Sequence, residues 1–245
     1  MNTATLHFHG ELAPLAGRGR IDFPTTRRAS VKDAAESLGV PHTEIYGLAV
    51  DGQPAGFSHI PAPGEQIDIR PATPPVDVAV PHLDRPILAR ASFIADANVG
   101  RLATYLRLMG FDTLYDRNYQ DADVARLSAN LGRILLTRDR GVLKRKVVAW
   151  GRLVHAHDPV EQARDVVRFF GLAGLAQAFR RCLRCNTLLE SAPKADVLHL
   201  LEPRTKKYYE EFARCPGCGK VYWAGSHHGK IEEMFGRIRG GEEKE

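Results

Sequence analysis

The first 72 residues contain short stretches in which apolar and polar side chains alternate, a pattern typical of β-strands. These stretches are Thr5–His9, Ile21–Phe23, Leu48–Val50 and Gln66–Arg70. A helix is predicted from Ser30 to Leu38, with Asp33 in a capping-box position and Gly39 as its stop. The predicted order is therefore strand, strand, helix, strand, strand. Asp51-Gly52 marks a hairpin turn after the third strand.

The middle of the chain alternates between short apolar runs and helical periodicity. Four runs predict strands: Ser92–Ala95, Thr113–Tyr115, Ile134–Thr137 and Arg152–His155. Apolar residues recur at helical spacing in four segments: Asn98 to Met109, Asp121 onward, Gly141 to Val148, and Pro159 onward. Strands that alternate with helices predict an α/β domain with a mostly parallel sheet.

Five prolines lie between Pro71 and Pro86, which predicts a stiff, extended connector. We therefore expect a linker over residues 73–86 and a domain boundary near residue 80. The charged C-terminal segment, residues 231–245, is predicted to be a flexible tail.

Three acids lie where they can share one edge of the parallel sheet. Asp96 follows the first of the four strands, Asp139 lies two residues beyond the third, and Asp121 begins a predicted helix. Ligands bind beyond the carboxyl ends of parallel strands, so these acids can face one pocket. Each alone could be a helix cap or a turn residue. Together they suit Mg²⁺ or Mn²⁺, which prefers hard oxygen ligands and relieves the repulsion between carboxylates.

The composition and charge of the chain indicate its location and its type of substrate. No apolar run approaches the length of a membrane span, and the N-terminus lacks the order of a secretory signal, so we expect a cytoplasmic protein with no membrane partner. The net charge of +5 is concentrated in residues 80–181, which carry 17 basic and 10 acidic residues. An acidic cluster inside a basic segment suits a polyanion substrate, although a solvated basic surface explains the charge equally well.

The basic residues of this segment are candidate contacts for a nucleic-acid backbone. A dense run surrounds the start of the helix predicted after Asp139, and two further arginines lie on the helix after Asp96. The candidates are Arg101, Arg107, Arg138, Arg140, Lys144, Arg145 and Lys146. The alternative for the dense run is a solvated helix face.

The four cysteines form two CxxC pairs with 29 residues between them, Cys182/Cys185 and Cys215/Cys218. Two thiolate pairs on tight turns are typical of a closed, tetrahedral zinc ribbon, and a redox role fits this arrangement less well. Such a site is structural, because it stabilises a segment that is too small for a large core.

The central motifs resemble those of the Mut-seven C-terminal RNase domain family, a branch of the PIN-fold nucleases. The matching residues are Asp96, Gly100-Arg101-Leu102-Ala103, Leu106-Arg107, Gly110-Phe111-Asp112 and Arg133 to Asp139. The resemblance implies a PIN-like three-layer α/β/α fold over residues 87–180, followed by a zinc ribbon over residues 181–230. It also implies that Asp96, Asp121 and Asp139 are catalytic metal ligands, with Asp116 and Asp123 as nearby alternatives.

The N-terminal segment, residues 1–72, resembles a ubiquitin-like β-grasp domain of the sulfur-carrier type. Such carriers end in a free Gly-Gly, whereas Ile69 here runs on into Arg70-Pro71 and Gly240-Gly241 lies far away. We therefore expect no carrier activity. Three roles stay open for this domain: binding a protein partner, positioning RNA, or supporting the fold.

The sequence as a whole predicts a hydrolase, a ribonuclease that cleaves RNA phosphodiester bonds at a magnesium or manganese site and carries a structural zinc ion. The alternative is a non-catalytic RNA- or ribosome-binding protein that uses the zinc ribbon and the basic helix.

Overall fold

A computed structural model of the chain describes residues 2–26, 28–223, 235, 236 and 238. Almost all of the predicted tail lies outside the described residues, as does the end of the predicted ribbon. No helix in the described residues has the length and apolar character that a membrane span requires.

The N-terminal sheet has five strands in the order β2-β1-β5-β3-β4, with β1 and β5 parallel and the other pairs antiparallel. Its elements are β1 (Thr3–Phe8), α1 (Leu12–Ala16), β2 (Arg20–Pro24), α2 (Val31–Ser37), β3 (Gly47–Val50), β4 (Gln53–Pro54) and β5 (Gln66–Arg70). Ser30 caps α2, because its hydroxyl accepts a hydrogen bond from the Asp33 amide. The Asp33 carboxylate accepts from the Ser30 hydroxyl, so the predicted capping box is present only in its N-cap half. The predicted β-grasp architecture is confirmed.

The second sheet has four parallel strands in the order β7-β6-β8-β9. Its elements are β6 (Phe93–Ala95), α3 (Gly100–Leu108), β7 (Thr113–Tyr115), α4 (Asp121–Leu131), β8 (Ile134–Thr137), α5 (Arg140–Leu143), β9 (Gly151–Leu153) and α6 (Pro159–Phe169). Alternate residues of β6 and β8 face opposite layers. Phe93 and Leu136 pack towards α3 and α6, whereas Ile94 and Leu135 pack towards α4 and α5. The mixed α/β fold with a parallel sheet is as expected.

Helix α5 is shorter than the predicted helix from Gly141 to Val148. The chain leaves the helix after Leu143 and continues through turns, which bring Val148 into the core at 0% exposure. The Val148 carbonyl accepts a hydrogen bond from His42 Nε2 at 2.7 Å, so a tertiary contact replaces the last helical turn.

One hydrophobic core joins the β-grasp sheet to the parallel sheet. Leu12, Val40 and Ile45 pack in the same buried cluster as Val142 and Leu153. The predicted linker is also packed, because Val76 and Val78 are buried against the other face of the parallel sheet domain. The two sheets therefore form a continuous folded unit.

Buried polar contacts reinforce this junction. Glu44, only 1% exposed, accepts a hydrogen bond from the Leu153 amide at 2.7 Å and pairs with Arg152. Arg152 also pairs with Glu11 at 2.8 Å. Burial disfavours the charged guanidinium, yet the two carboxylates outweigh burial and raise the pKa of Arg152 above its ordinary value.

The last sheet has three antiparallel strands, β10-β11-β12. The elements are β10 (Glu190–Ala192), α7 (Lys194–Val197), α8 (Pro203–Tyr208), β11 (Phe212–Arg214) and β12 (Val221–Trp223). This small unit contains all four cysteines.

Candidate active site at the carboxyl edge of the parallel sheet

Two of the predicted acids lie beyond the ends of neighbouring strands. Strands β6 and β8 pair in parallel with Ala95 opposite Leu136, so their carboxyl ends lie at the same edge. Asp96 follows β6 directly, and Asp139 follows β8 after one intervening residue. The topology therefore delivers both carboxyl groups to the crevice in which α/β sheets bind ligands.

The Asp96 side chain is 4% exposed and is held by three donors. Thr137 Oγ1 donates to Asp96 Oδ2 at 2.6 Å, and Asn98 Nδ2 donates to the same oxygen at 2.7 Å. The Ala97 amide donates to Oδ1 at 2.6 Å. Because these donors come from two strand ends, the carboxylate has one defined orientation.

Thr137 connects Asp96 to Asp139. Its hydroxyl donates to Asp96 and accepts a hydrogen bond from the Asp139 amide at 3.0 Å. Asn98 makes a parallel connection, since its Oδ1 accepts from the Arg138 amide at 3.2 Å. Asp139 is exposed and caps α5, with Oδ1 accepting from the Gly141 amide at 2.6 Å. Within the described part of the chain, no hydrogen-bond donor contacts its second carboxylate oxygen.

Asp121 is the first residue of α4 and is exposed, with Oδ2 3.9 Å from Arg145 Nη2. Among the described residues, Asp96, Asp121 and Asp139 do not form a group whose ligating oxygens all lie within 4.8 Å of one another. Of the alternatives, Asp116 follows β7 and caps the Asn118 amide at 2.9 Å, and Asp123 pairs with Arg126 at 2.7 Å. The catalytic roles of all these acids stay predictions.

The structure divides the seven candidate RNA-binding cations into two groups. Arg101, Arg138, Arg145 and Lys146 are exposed around the strand ends and α5. The other three, Arg107, Arg140 and Lys144, donate hydrogen bonds to backbone carbonyls of other segments.

Arg107 is 4% exposed, and its guanidinium donates to the carbonyls of Thr113, Leu183 and Arg184 at 2.8 to 3.1 Å. Arg140 Nη1 donates to the Leu15 carbonyl at 3.3 Å, and Lys144 Nζ donates to the Glu36 carbonyl at 2.6 Å. Arg107 thus ties α3 to the cysteine unit instead of facing solvent, and we remove it from the RNA surface. Arg140 and Lys144 hold the β-grasp domain, so phosphate would have to compete for them.

The four cysteine sulfurs converge as predicted. All four lie within 4.8 Å of one another, with Cys182 Sγ 3.5 Å from Cys218 Sγ and Cys185 Sγ 3.4 Å from Cys215 Sγ. Tetrahedral Zn–S bonds of about 2.3 Å place sulfurs roughly 3.8 Å apart, so the set fits a metal ion such as zinc.

The environment of Cys182 favours the thiolate that a metal requires. Burial opposes ionisation of this thiol, but the Tyr222 hydroxyl and backbone amides outweigh burial and lower its pKa to about 6. Tyr222 Oη lies 3.2 Å from Cys182 Sγ.

The cysteine unit is attached to the parallel sheet through Asn186. Its side chain donates to Asp112 Oδ1 at 2.8 Å and accepts from the Thr113 amide at 3.1 Å. Arg133 donates to the same Asp112 oxygen at 2.7 Å. Burial raises the pKa of Asp112, but Arg133, Asn186 and Arg181 outweigh burial and lower it below the ordinary value.

Two protein-family models match the chain, one over each of its two larger parts. The model of the Mut7-C RNAse domain matches residues 91–235, which is more than half of the chain. The chain belongs to the Mut7-C RNAse domain family. The model of the Mut7-C ubiquitin domain matches residues 1–77. Both predicted resemblances are thereby confirmed.

Comparison with solved structures adds two crystal structures of small archaeal modifier protein 1 (SAMP1) from Haloferax volcanii. Each shares 18% identity with this chain at a TM-score of 0.25. One alignment covers 30% of this chain and 100% of the modifier, and the other covers 29% and 97%. A search of curated proteins found no match. The β-grasp assignment rests on the strand order and on the Mut7-C ubiquitin match.

Sequence reasoning missed two residues at the acidic edge of this Mut7-C protein. Asn98 bridges Asp96 and Arg138, although it reads as an ordinary helix-start residue. His157 follows β9 and lies with Nδ1 3.0 Å from Arg138 Nη2. His157 could have been identified as a candidate site residue from its position after the last parallel strand, because that strand ends at the same edge as the other three.

Proposed function

We propose that this Mut7-C protein is a metal-dependent ribonuclease whose active site is the edge formed by Asp96 and Asp139, with Asp121 as the third acid. The observation that carries the proposal is the hydroxyl of Thr137, which hydrogen-bonds both the Asp96 carboxylate and the Asp139 backbone at adjacent strand ends. Membership of a family named for an RNase domain supports the substrate class.

The donor set suits Mg²⁺ or Mn²⁺, because it consists of hard carboxylate oxygens. Mg²⁺ is commonly held by one or two carboxylates, with waters and substrate phosphates completing its shell. Asp96 and Asp139 would therefore be its protein ligands, and Asp121 would bind one of its waters. When bound, such an ion activates water and offsets negative charge on the leaving oxygen.

The protein's own side chains supply orientation. Thr137 and Asn98 fix the Asp96 carboxylate so that it needs no rearrangement on binding. Asp139 presents its carboxylate from the start of α5, beside the exposed Arg138. Arg101, Arg138 and Arg145 would hold the phosphates on either side of the bond that is cleaved, and Lys146 would contact a phosphate farther along the strand.

The cysteine set would hold a structural zinc ion. Its four ligands leave no open coordination position for a substrate. The cysteine unit contacts the parallel-sheet domain at Arg107 and, through Asn186, at Asp112. The zinc ion would therefore stabilise the fold and take no part in cleavage.

Metal dependence tests the proposal. Purified protein is incubated with 5′-labelled single-stranded RNA in Mg²⁺ or Mn²⁺, and in the same buffer with EDTA followed by re-addition of metal. We expect cleavage that EDTA stops and Mg²⁺ or Mn²⁺ restores, with no restoration in Asp139→Asn. RNA binding without cleavage in any metal would favour a non-catalytic binding protein instead.

A further inference from the structure

A cleft of about 620 Å³ lies between the β-grasp domain and the segment that follows α5. The β-grasp side supplies Arg28, Lys32 and Ile60, and the RNase side supplies Lys146. We call it the Arg28–Lys146 cleft. Its walls come from residues far apart in the chain, and they are brought together by the shared core beneath.

Of the three cations of this cleft, Lys32 pairs with Glu36 at 2.9 Å, whereas Arg28 and Lys146 are exposed. Asp33 Oδ2 accepts from the Ser30 hydroxyl at 2.8 Å, and Asp84 Oδ2 accepts from the Phe57 amide at 2.8 Å. In the part of the chain that the structure describes, no carboxylate lies within 4.0 Å of the charged groups of Arg28 or Lys146. Two exposed positive charges thus face one cleft without ion-pair partners, which favours an anionic ligand.

The chain connects the cleft to Asp121 through two consecutive cations, Arg145 and Lys146. Arg145 reaches Asp121 at the start of α4, with 3.9 Å between Nη2 and Oδ2. Lys146 is the next residue, so its Cα lies only about 3.8 Å from that of Arg145. Arg145 thus lies near the proposed third acid, and the next residue, Lys146, lines the cleft. Ile60, 43% exposed, adds an apolar surface against which a ribose or base can pack.

We propose that the Arg28–Lys146 cleft binds the phosphate backbone of the RNA strand beyond the bond that is cleaved. The β-grasp domain is then part of the RNA-binding surface. This inference rests on the proposed ribonuclease function, and it selects the positioning of RNA from the roles that the sequence left open for this domain.

The test measures RNA affinity in full-length protein. Asp139→Asn serves as the background so that RNA stays intact, and Arg28→Gln/Lys146→Gln is added to it. The matched control adds Arg18→Gln/Arg20→Gln, which removes two exposed charges of the β-grasp domain that do not line the cleft. Fluorescence anisotropy follows labelled single-stranded RNA of about 4 and about 16 nucleotides, the usual range of single-strand site sizes.

We expect the cleft variant to bind the long RNA about tenfold more weakly, with the slope of log K against log[salt] reduced by about 1.4 for two lost phosphate contacts. Binding of the short RNA and the melting temperature stay unchanged, and the control variant behaves as the background. Unchanged affinity for the long RNA, or an equal loss in the control, overturns the proposal.

Two further measurements distinguish the RNA-binding cleft from a small-ligand site and from the ribonuclease function. If the cleft variant loses binding of pyrophosphate but keeps RNA affinity, the cleft serves a small phosphorylated ligand and the proposal fails. If the protein with Asp139 intact cleaves no RNA in any metal while the cleft variant still loses RNA affinity, the ribonuclease function fails and the RNA-binding cleft stands.

Discussion

Replacement of Glu44 by alanine is expected to destabilise the β-grasp and RNase domains together. Glu44 is 1% exposed, pairs with Arg152 and accepts the Leu153 amide, so its loss leaves a buried guanidinium and a buried N–H short of a partner. Breaking a buried ion pair from one side costs about 3–5 kcal/mol. Because Arg152 keeps Glu11, we expect the lower end, about 3 kcal/mol.

Urea unfolding measures this cost. With a slope of about 3 kcal/mol/M, a loss of about 3 kcal/mol lowers the midpoint by about 1 M. Trp150 packs against Tyr46 of the β-grasp domain with 6.5 Å between ring centroids, so its fluorescence reports on the junction once Trp223 is replaced by phenylalanine. Far-UV circular dichroism reports on the whole chain. Because one core joins the sheets, the two probes should give coincident curves.

Glu11→Gln is the matched control, since Glu11 pairs with the same arginine but its side chain is 40% exposed. An exposed pair contributes about 0–1 kcal/mol, so the midpoint should barely move. A Glu44→Ala protein as stable as Glu11→Gln would refute the reasoning. So would two separate transitions in the unmodified protein, because they would show that the domains unfold independently.

Three other predictions test the site and its support. Asp112→Asn should reduce the loss of stability that the protein shows below about pH 4. The folded pKa of Asp112 is lowered, so its contribution to stability is complete above the unfolded pKa of about 3.9 and is lost as the pH falls towards the folded pKa. Thermal melts at a series of pH values measure this difference. Cys215→Ser should abolish stoichiometric zinc, measured by elemental analysis, with a lower melting temperature; retained zinc would contradict the cysteine site. Thr137→Val should lower the cleavage rate by about 10-fold or more, because Asp96 loses its bridging donor, and an unchanged rate would remove Thr137 from the site.

Local patterns were sufficient to predict most elements and the convergence of the four cysteines. The apolar runs ending at Asp96 and near Asp139 specified the strand ends, because parallel strands bury both faces and show as short apolar segments. The CxxC spacing specified the converging sulfurs in the same way.

Contacts between distant residues could not be predicted from these patterns. Glu44 and Arg152 are 108 residues apart, and no periodicity marks them as partners. For the same reason the sequence counted Arg107 and Lys144 as available charges, whereas their donors are used by carbonyls of other segments. The sequence shows where the cationic residues lie along the chain. It does not show which of them form hydrogen bonds within the folded protein.

The rate of RNA cleavage under single-turnover conditions in Mn²⁺ tests the central claim most directly. The measurement compares the unmodified protein with Asp96→Asn and with Asp196→Asn, a matched change at an exposed acid of α7. The account predicts that Asp96→Asn slows cleavage by about 100-fold or more with unchanged folding, while Asp196→Asn cleaves normally. Full activity in Asp96→Asn would contradict the assignment of the active site to this edge of the sheet.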